Sequence, residues 1–330
     1  MSLPTALASR LRLPVVAAPM FIISNPDLVI EQCKAGIVGS FPSLNARPAE
    51  ALDDWIVRIK TALAEHDSAH PDRPSAPFAV NLIVHRSNDR VEHDLAACVR
   101  HEVPIVITSL GVRPEVNHAV HAYGGIVFHD VIDNRFARKA IDKGADGLIA
   151  VAAGAGGHAG VQSPFALVQE IREWFDGPLL LSGAIANGSA ILGARAIGAD
   201  LAYVGSAFIA THEARAAEAY KRMIVESSAE DIVYTSLFTG VHGNYLKPSI
   251  AAAGLDPERL PDSDPTKMDF GSDRAARAWK DIWGCGQGIG AVKAVVPTAE
   301  LVDRLAREYR AARADLMVRT AEAPSTPIRS

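Results

Sequence analysis

Short runs of apolar and β-branched residues recur along the chain, and each run ends in small or polar residues before a segment with helical spacing. Eight runs predict strands: Pro14–Phe21, Ala35–Phe41, Phe78–Val84, Pro104–Leu110, Gly125–Val131, Gly144–Ala153, Pro178–Ile185 and Ala199–Ile209. The runs are continuously apolar rather than alternating, which is typical of parallel strands that are covered on both faces. Strands that alternate with helices predict βαβ units, and eight such units predict a (β/α)8 TIM barrel.

Helix starts can also be read between the predicted strands, because Asn or Ser side chains and an early proline are favoured in the first turn. The segments Asp27–Lys34, Phe165–Trp174 and Ala190–Ala196 follow Asn25-Pro26, Ser163-Pro164 and Asn187 or Ser189. The phrase Gly-Ala-Asp at 144–146 and 198–200 predicts two helices that end at a glycine and turn directly into the next strand.

The predicted barrel ends near residue 210, so residues 211–330 form an extension beyond its eighth strand. Helical spacing over Thr211–Glu226 and Thr298–Glu322 predicts helices that pack on the barrel. The segment Ser236–Asp273 is rich in Gly, Pro and Asp, which predicts a loop-like excursion over the barrel mouth. We therefore predict a barrel domain (1–235), a substrate-covering segment (236–297) and a terminal helix and tail (298–330). The tail after Ala323 is expected to be disordered.

Composition narrows the class of protein. The 330 residues are 48% hydrophobic and 22% charged with a net charge of −5, which excludes a disordered chain and offers no basic excess for nucleic acid. The 3 cysteines show no metal-binding spacing and no disulfide framework. The uncharged stretch Gly177–Ala194 contains Pro178 and polar side chains and is a poor bilayer span. We expect a cytoplasmic protein that acts on a small molecule, with neither nucleic acid nor a membrane as partner and with a homodimer as one option for its assembly.

The most distinctive strand end follows the sixth predicted strand, where residues 154–160 read Gly-Ala-Gly-Gly-His-Ala-Gly. The glycine spacing resembles a dinucleotide-binding motif, but that motif belongs on the first strand of a doubly wound sheet. We interpret Gly156 and Gly157 as allowing the backbone to approach a flat ligand, with His158 held over it. Imidazole can take a proton from carbon near neutral pH, so His158 is a candidate base. The alternative is a histidine that only satisfies a loop carbonyl.

Four further positions on the predicted strands carry candidate chemistry. Ser182-Gly183-Ala184 and Gly205-Ser206 end the seventh and eighth predicted strands, where barrels commonly bind phosphate through backbone N–H groups. The alternative is that these small residues only permit close packing. Asn81 is polar among apolar neighbours and needs a partner, which a flavin ring edge or the barrel wall would supply equally well. His129-Asp130 ends the fifth strand, but no further ligand follows at suitable spacing, so we predict no metal.

Several phrases in one order resemble the nitronate monooxygenase family, whose members are FMN-dependent barrels. The phrases are Ala17–Met20, Val80–Leu82, Gly156–Gly160, Ser182–Gly188, Gly198–Phe208 and Trp283–Gly288. The resemblance covers nearly the whole chain. Two details differ, since many relatives have Ser-Gly-Gly where Ala184 completes the phrase here, and methionine where Gln287 stands.

The resemblance implies roles for individual residues. Ala18 and Met20 would lie against the flavin ring, and Asn81 would reach its polar edge. The phosphate of FMN would be held by Ser182, Gly183, Gly205 and Ser206, and Ala184 would belong to the same cofactor-binding set. His158 would face flavin N5 with the substrate between them, and Gln287 would close the site from the C-terminal segment. From the covering segment we add His242, Tyr245 and Lys247 as candidate substrate contacts.

The activity implied by the resemblance is the oxidation of alkyl nitronates, and of nitroalkanes, by O₂ to a carbonyl compound and nitrite. Three other functions remain open from the residues. A flavin barrel of this kind could instead reduce quinones or enoyl thioesters with NAD(P)H. The phosphate site with His158 as a base also suits a phosphosugar isomerase or aldolase, and a flavin-loaded binding protein would need no turnover.

Overall fold

The computed structural model describes residues 3–261 and 282–321. Its centre is a barrel of eight parallel strands: β1 (Val15–Ala17), β2 (Gly39–Pro42), β3 (Phe78–Ile83), β4 (Ile105–Ser109), β5 (Ile126–Val131), β6 (Gly147–Val151), β8 (Leu179–Ser182) and β9 (Leu201–Val204). A parallel bridge between Val16 and Val38 closes β1 on β2. The predicted TIM barrel is therefore confirmed, and β8 and β9 are its seventh and eighth strands.

Helices follow the barrel strands in turn and cover the outside, and further helices precede β1 and follow β9. They are α1 (Thr5–Ala8), α2 (Pro26–Lys34), α3 (Ala51–Ala69), α4 (Val91–Arg100), α5 (Pro114–His121), α6 (Asn134–Asp142), α7 (Pro164–Arg172), α8 (Gly188–Ala196), α9 (Ser206–Ile209), α10 (Glu218–Glu226), α11 (Lys247–Ala252) and α12 (Thr298–Ala321). Asn25 and Asn187 accept first-turn N–H groups of α2 and α8. Asn187, rather than Ser189, is the cap of α8. Each helix in the described ranges is too short or too polar to cross a bilayer.

Two predicted elements have a different structure over part of their length. The run Ala199–Ile209 continues past Val204 as the short helix α9, because Phe208 N–H turns back to Gly205 O at 2.8 Å. A short apolar run does not distinguish a strand from a buried helical turn. The helix predicted over Thr211–Glu226 begins only at Glu218. The backbone before it forms hydrogen bonds with distant segments of the chain instead of helical ones. Thr211 forms a parallel bridge with Val296, and Arg215 N–H donates to Ile23 O at 3.0 Å.

The covering segment is more ordered than its composition predicts. Strand β11 (Gly243–Leu246) lies between β10 (Ile232–Thr235) and the two-residue strand β7 (Gly157–His158) in an antiparallel sheet. The expectation of a loop-like excursion over Ser236–Asp273 is therefore wrong for β11, whose four residues are all buried. Residues 262–273 of the predicted excursion and the tail after Ala323 lie outside the described residues. The boundaries at 235 and 297 stay predictions.

The barrel interior changes from apolar to polar toward the carboxyl ends of the strands. Its buried apolar side chains include Val16, Val38, Ala79, Ile105, Ile107, Phe128, Ile149, Leu180 and Leu201. Side chains two residues further along a strand point to the same face. At those positions stand Ser40, Asn81, Ser109, Asp130, Ser182 and Tyr203, which we call the polar layer. This layer marks the end of the barrel that can bind a polar ligand.

Helix α12 packs closely against the start of α8 through a glycine. A Cβ atom built at Gly188 would lie 2.0 Å from the backbone nitrogen of Tyr309, and Gly188 N–H donates to the Glu308 carboxylate at 2.9 Å. Gly193 lies on the same helix, but a Cβ there would meet no atom within 4 Å. One glycine is therefore required by packing and the other is not.

We expect Gly188→Ala to lower the free energy of unfolding by about 1–3 kcal/mol, because the methyl group would push α12 away. Gly193→Ala should raise it by up to about 1 kcal/mol, since alanine is the better helix former in an open position. Urea unfolding of both variants tests this. Equal stability of the two variants would show that α12 adjusts freely.

Candidate active site

The strand ends bring most of the predicted cofactor residues together. Ala18 N–H donates to Val204 O at 2.9 Å, and a Cβ at Gly205 would lie 3.4 Å from Ala18 Cβ and 3.9 Å from Met20 Sδ. Ala18, Met20 and Gly205 are all partly exposed at this end of the barrel. The ends of β1 and β9 therefore line one open corner of the mouth, where a flat ligand can lie.

The ends of β8 and β9 also supply backbone donors. The N–H groups of Gly183, Gly205 and Ser206 donate to no other group in the described part of the chain. Gly183 has φ +143, and a Cβ there would lie 2.8 Å from Ala153 O, so glycine is required. Ala184 follows with φ +54 and its N–H donates to Gly154 O at 3.1 Å. Unbonded N–H groups on adjacent strand ends fit a phosphate group.

The glycines after β6 interlock with the C-terminal segment. A Cβ at Gly156 would lie 2.7 Å from Gly286 N, and a Cβ at Gly286 would lie 2.7 Å from Gly154 O. Gln287 N–H donates to Gly154 O at 2.9 Å, and Gly286 N–H donates to Ser206 Oγ at 2.7 Å. Gly156 and Gly286 therefore allow two backbone segments to approach closely. The sequence had suggested that Gly156 makes room for a flat ligand.

His158 lies in β7 at the mouth, and burial lowers the pKa of its imidazole to about 4. Its Nε2 is 3.0 Å from Thr239 Oγ1, which itself lies 3.0 Å from Val241 O. A carbonyl only accepts, so the single hydroxyl hydrogen of Thr239 goes to Val241, and Nε2–H donates to Thr239. The neutral ring then carries its proton on Nε2 and its basic lone pair on Nδ1. Thr239 was missed in the sequence because its segment reads as a loop.

Asn81 forms hydrogen bonds with the barrel wall, which was one of the two partners predicted for it. Its Nδ2 donates to Ile107 O at 3.0 Å and to Ser109 Oγ at 2.7 Å, and Ser109 Oγ donates to Asp130 Oδ2 at 2.6 Å. Burial raises the pKa of Asp130 to about 6. The sequence did not indicate that Ser109 and Asp130 form a pair, because only the barrel register brings β4 beside β5.

His129 and Asp130 point to opposite faces of β5. His129 Nδ1 lies 2.6 Å from Thr108 Oγ1 in the barrel wall, whereas Asp130 belongs to the polar layer inside. They cannot share a metal ion. Within residues 3–261 and 282–321 no group of three His, Cys, Asp or Glu side chains could hold one.

The three candidate substrate residues do not converge. His242 is exposed and stacks on Tyr234 with ring centroids 5.1 Å apart. Tyr245 is fully buried and packs edge-on against Phe238, and Lys247 pairs with Glu258 at 2.8 Å. Their roles in substrate binding stay predictions, and for Tyr245 the burial indicates a packing role in the described structure.

The chain is similar to known proteins over most of its length. The family model for nitronate monooxygenase matches residues 5–308. A nitronate monooxygenase of Paraburkholderia phytofirmans is 27% identical and aligns with 90% of this chain and 92% of its own length. Nitroalkane oxidase of Streptomyces ansochromogenes superposes with a TM-score of 0.78 at 25% identity over 94% of this chain and 100% of that one. FabK of Thermotoga maritima has a TM-score of 0.77 at 22% identity, covering 95% and 97%, and shares the fold.

The protein is a flavin-dependent oxidoreductase, as these matches and the fold indicate. The backbone N–H groups after β8 and β9 agree with this class. The chain belongs to the nitronate monooxygenase family. The family predicted from the sequence is thereby confirmed.

We expect His158 to be the Nε2–H tautomer and to stay neutral from pH 8 to about pH 5, because its folded pKa is about 4. Thr239→Val should mix the tautomers by removing the acceptor, and Thr239→Ser should restore Nε2–H. Nitrogen NMR of ¹⁵N-histidine-labelled protein, with His158→Asn to assign the signals, measures this. A predominant Nδ1–H form in the parent protein would contradict the inferred bond direction.

Proposed function

We propose that the protein oxidises alkyl nitronates, and nitroalkanes once they have lost a proton, with FMN as cofactor and O₂ as oxidant. The products would be a carbonyl compound and nitrite. The observation that carries the proposal is the neutral imidazole of His158 at the same barrel mouth as the N–H groups just after β8 and β9 that donate to no group among the described residues. Membership of the nitronate monooxygenase family supports the reaction class.

The residues present fit a flavin mononucleotide. The N–H groups of Gly183, Gly205 and Ser206 would hold its single phosphate, and Ala18 and Met20 would lie against its ring. When bound, FMN supplies the electron transfer, and the protein supplies position and electrostatics. Gly205 leaves space beside Ala18 and Met20, so the mouth stays open at that corner.

His158 would take the α-proton of a neutral nitroalkane on its imidazole ring. The burial that lowers its pKa to about 4 keeps the ring unprotonated and ready to accept at neutral pH. Thr239 Oγ1 accepts Nε2–H and would continue to do so in the imidazolium formed by proton transfer. The charged ring would then attract the nitronate anion, which it could also orient when the nitronate is supplied directly.

We expect heat-released supernatant of the purified protein to contain FMN. Gly205→Asp should abolish flavin retention, because a carboxylate near the donor set repels the phosphate. Gly205→Asn has nearly the same shape without the charge and should retain more flavin. Absorbance spectra and chromatography of the released flavin measure both. Release of FAD, or normal flavin content in Gly205→Asp, would place the phosphate elsewhere.

His158→Asn should slow nitroalkane oxidation by about 10²–10⁴-fold, the usual contribution of a general base. The loss with a preformed nitronate should be smaller, since no proton has to be removed. Oxygen uptake with matched nitroalkane and nitronate substrates, without NAD(P)H, is the measurement. Equal losses would make His158 a binding group rather than a base. Oxygen uptake that requires NAD(P)H would favour the reductase alternative.

A further inference from the structure

Non-glycine residues in the left-handed backbone conformation are concentrated at the barrel mouth. The described part of the chain holds four of them, Ile22, Leu110, Ala184 and Glu102, with φ angles of +68, +59, +54 and +47. Glu102 follows the end of α4, where helices commonly adopt this conformation. The other three follow the carboxyl ends of β1, β4 and β8. Backbone strain of this kind is typical of functional sites.

Ile22 is the least expected residue in this conformation. A β-branched side chain is crowded by its own backbone at positive φ, so the position favours glycine. The Ile22 side chain is also 38% exposed, so burial in the core compensates for this cost only in part. An apolar side chain that is kept at such a position fits contact with a ligand.

The buried amide of Asn45 holds the loop that contains Ile22. Its Oδ1 accepts Ile22 N–H at 2.9 Å, and its Nδ2 donates to Met20 O at 3.0 Å and to Ser24 O at 2.8 Å. Met20 N–H in turn donates to Ser24 Oγ at 3.0 Å. These bonds fix the backbone of Ile22 in its strained conformation, two residues beyond Met20 at the mouth.

Leu110 is a second apolar side chain at the mouth. It directly follows Ser109, which ends β4 and belongs to the polar layer. Leu110 is partly exposed and packs against none of the hydrophobic clusters of the described structure. The segments 18–24 and 109–112 carry no charged side chain. The chain after β1 and after β4 therefore offers apolar contacts that the core does not use fully.

We propose that Ile22 and Leu110 contact the alkyl chain of the substrate and determine which chain lengths the site prefers. The inference rests on the proposed function in one respect, namely that the substrate joins an anionic head group to an alkyl chain. The head group belongs near His158, and the chain would lie against the apolar side chains that follow β1 and β4.

Linear carboxylates from acetate to hexanoate test the proposal on the purified flavin-loaded protein. They share the planar anionic head of a nitronate, and calorimetry measures their dissociation constants without turnover. The parent protein should bind each longer carboxylate about two- to fourfold more tightly, because each added methylene is buried. Ile22→Ala and Leu110→Ala should each reduce this gain per methylene. Val57→Ala is the matched control, because Val57 is 49% exposed on the outer helix α3.

The backbone strain at Ile22 has a test of its own. Ile22→Gly and Ile22→Ala both remove the alkyl side chain, but only alanine keeps a Cβ atom in the left-handed conformation. Ile22→Gly should therefore unfold at a higher urea concentration than Ile22→Ala. Glu102→Gly and Glu102→Ala should differ in the same direction and bind the carboxylates like the parent protein, because Glu102 lies away from the mouth.

Absence of a gain per methylene in the parent protein would overturn the proposal, and so would an unchanged gain in both Ile22→Ala and Leu110→Ala. A reduced gain in Val57→Ala would overturn it too, since the effect would not come from the mouth. Equal urea midpoints of Ile22→Gly and Ile22→Ala would contradict the strain from which the contact is inferred. If the gain is present but nitronates are not oxidised, the proposed reaction fails and the apolar contact stands.

Discussion

Closure of the eight parallel strands into one barrel is the constraint on which the site depends. The bridge between Val16 and Val38 completes the ring, so every strand presents its carboxyl end on the same face. The apolar interior supports the middle of the barrel, and the polar layer stands where that interior meets the mouth. Small residues after β1, β8 and β9 then become neighbours although they are far apart in sequence. The donor set for an anion is thus a consequence of closure.

The second requirement is the placement of His158, which no barrel strand supplies. It lies in β7, which pairs with β11, and the C-terminal segment packs on the glycines just before it. A Cβ at Gly243 would lie 2.6 Å from Gly157 O, so this sheet forms only with glycine at the crossing. Three remote parts of the chain therefore hold one imidazole. Of the two glycines that the sequence assigned to a ligand, Gly156 lies against the C-terminal segment, whereas a Cβ at Gly157 would meet no atom within 4 Å.

The partner of His158 determines its chemistry. Thr239 is uncharged, so it orients the ring without the favourable charge interaction by which a carboxylate would raise the imidazole pKa. With burial as the cause of the lowered pKa, the ring stays neutral over the physiological range. In the polar layer the arrangement differs, because Asp130 is a titratable group that reaches Asn81 through the hydroxyl of Ser109. The two sides of the mouth thus differ in chemistry, with a neutral imidazole on one side and a hydrogen-bonded amide, hydroxyl and carboxyl group on the other.

The sequence by itself determined the barrel, most helix starts and the strand-end residues, because continuous apolar runs and capping residues act over a few neighbouring positions. It also indicated the nitronate monooxygenase family, through short sequence motifs that lie at those strand ends. The tertiary structure alone decided where the run 199–209 turns from strand to helix, and that residues 243–246 form a buried strand. It alone joined Thr239 to His158 and Asn81 to Ser109 and Asp130. The physical reason is that these contacts depend on strand register and on sheet pairing between distant segments, which no local pattern encodes.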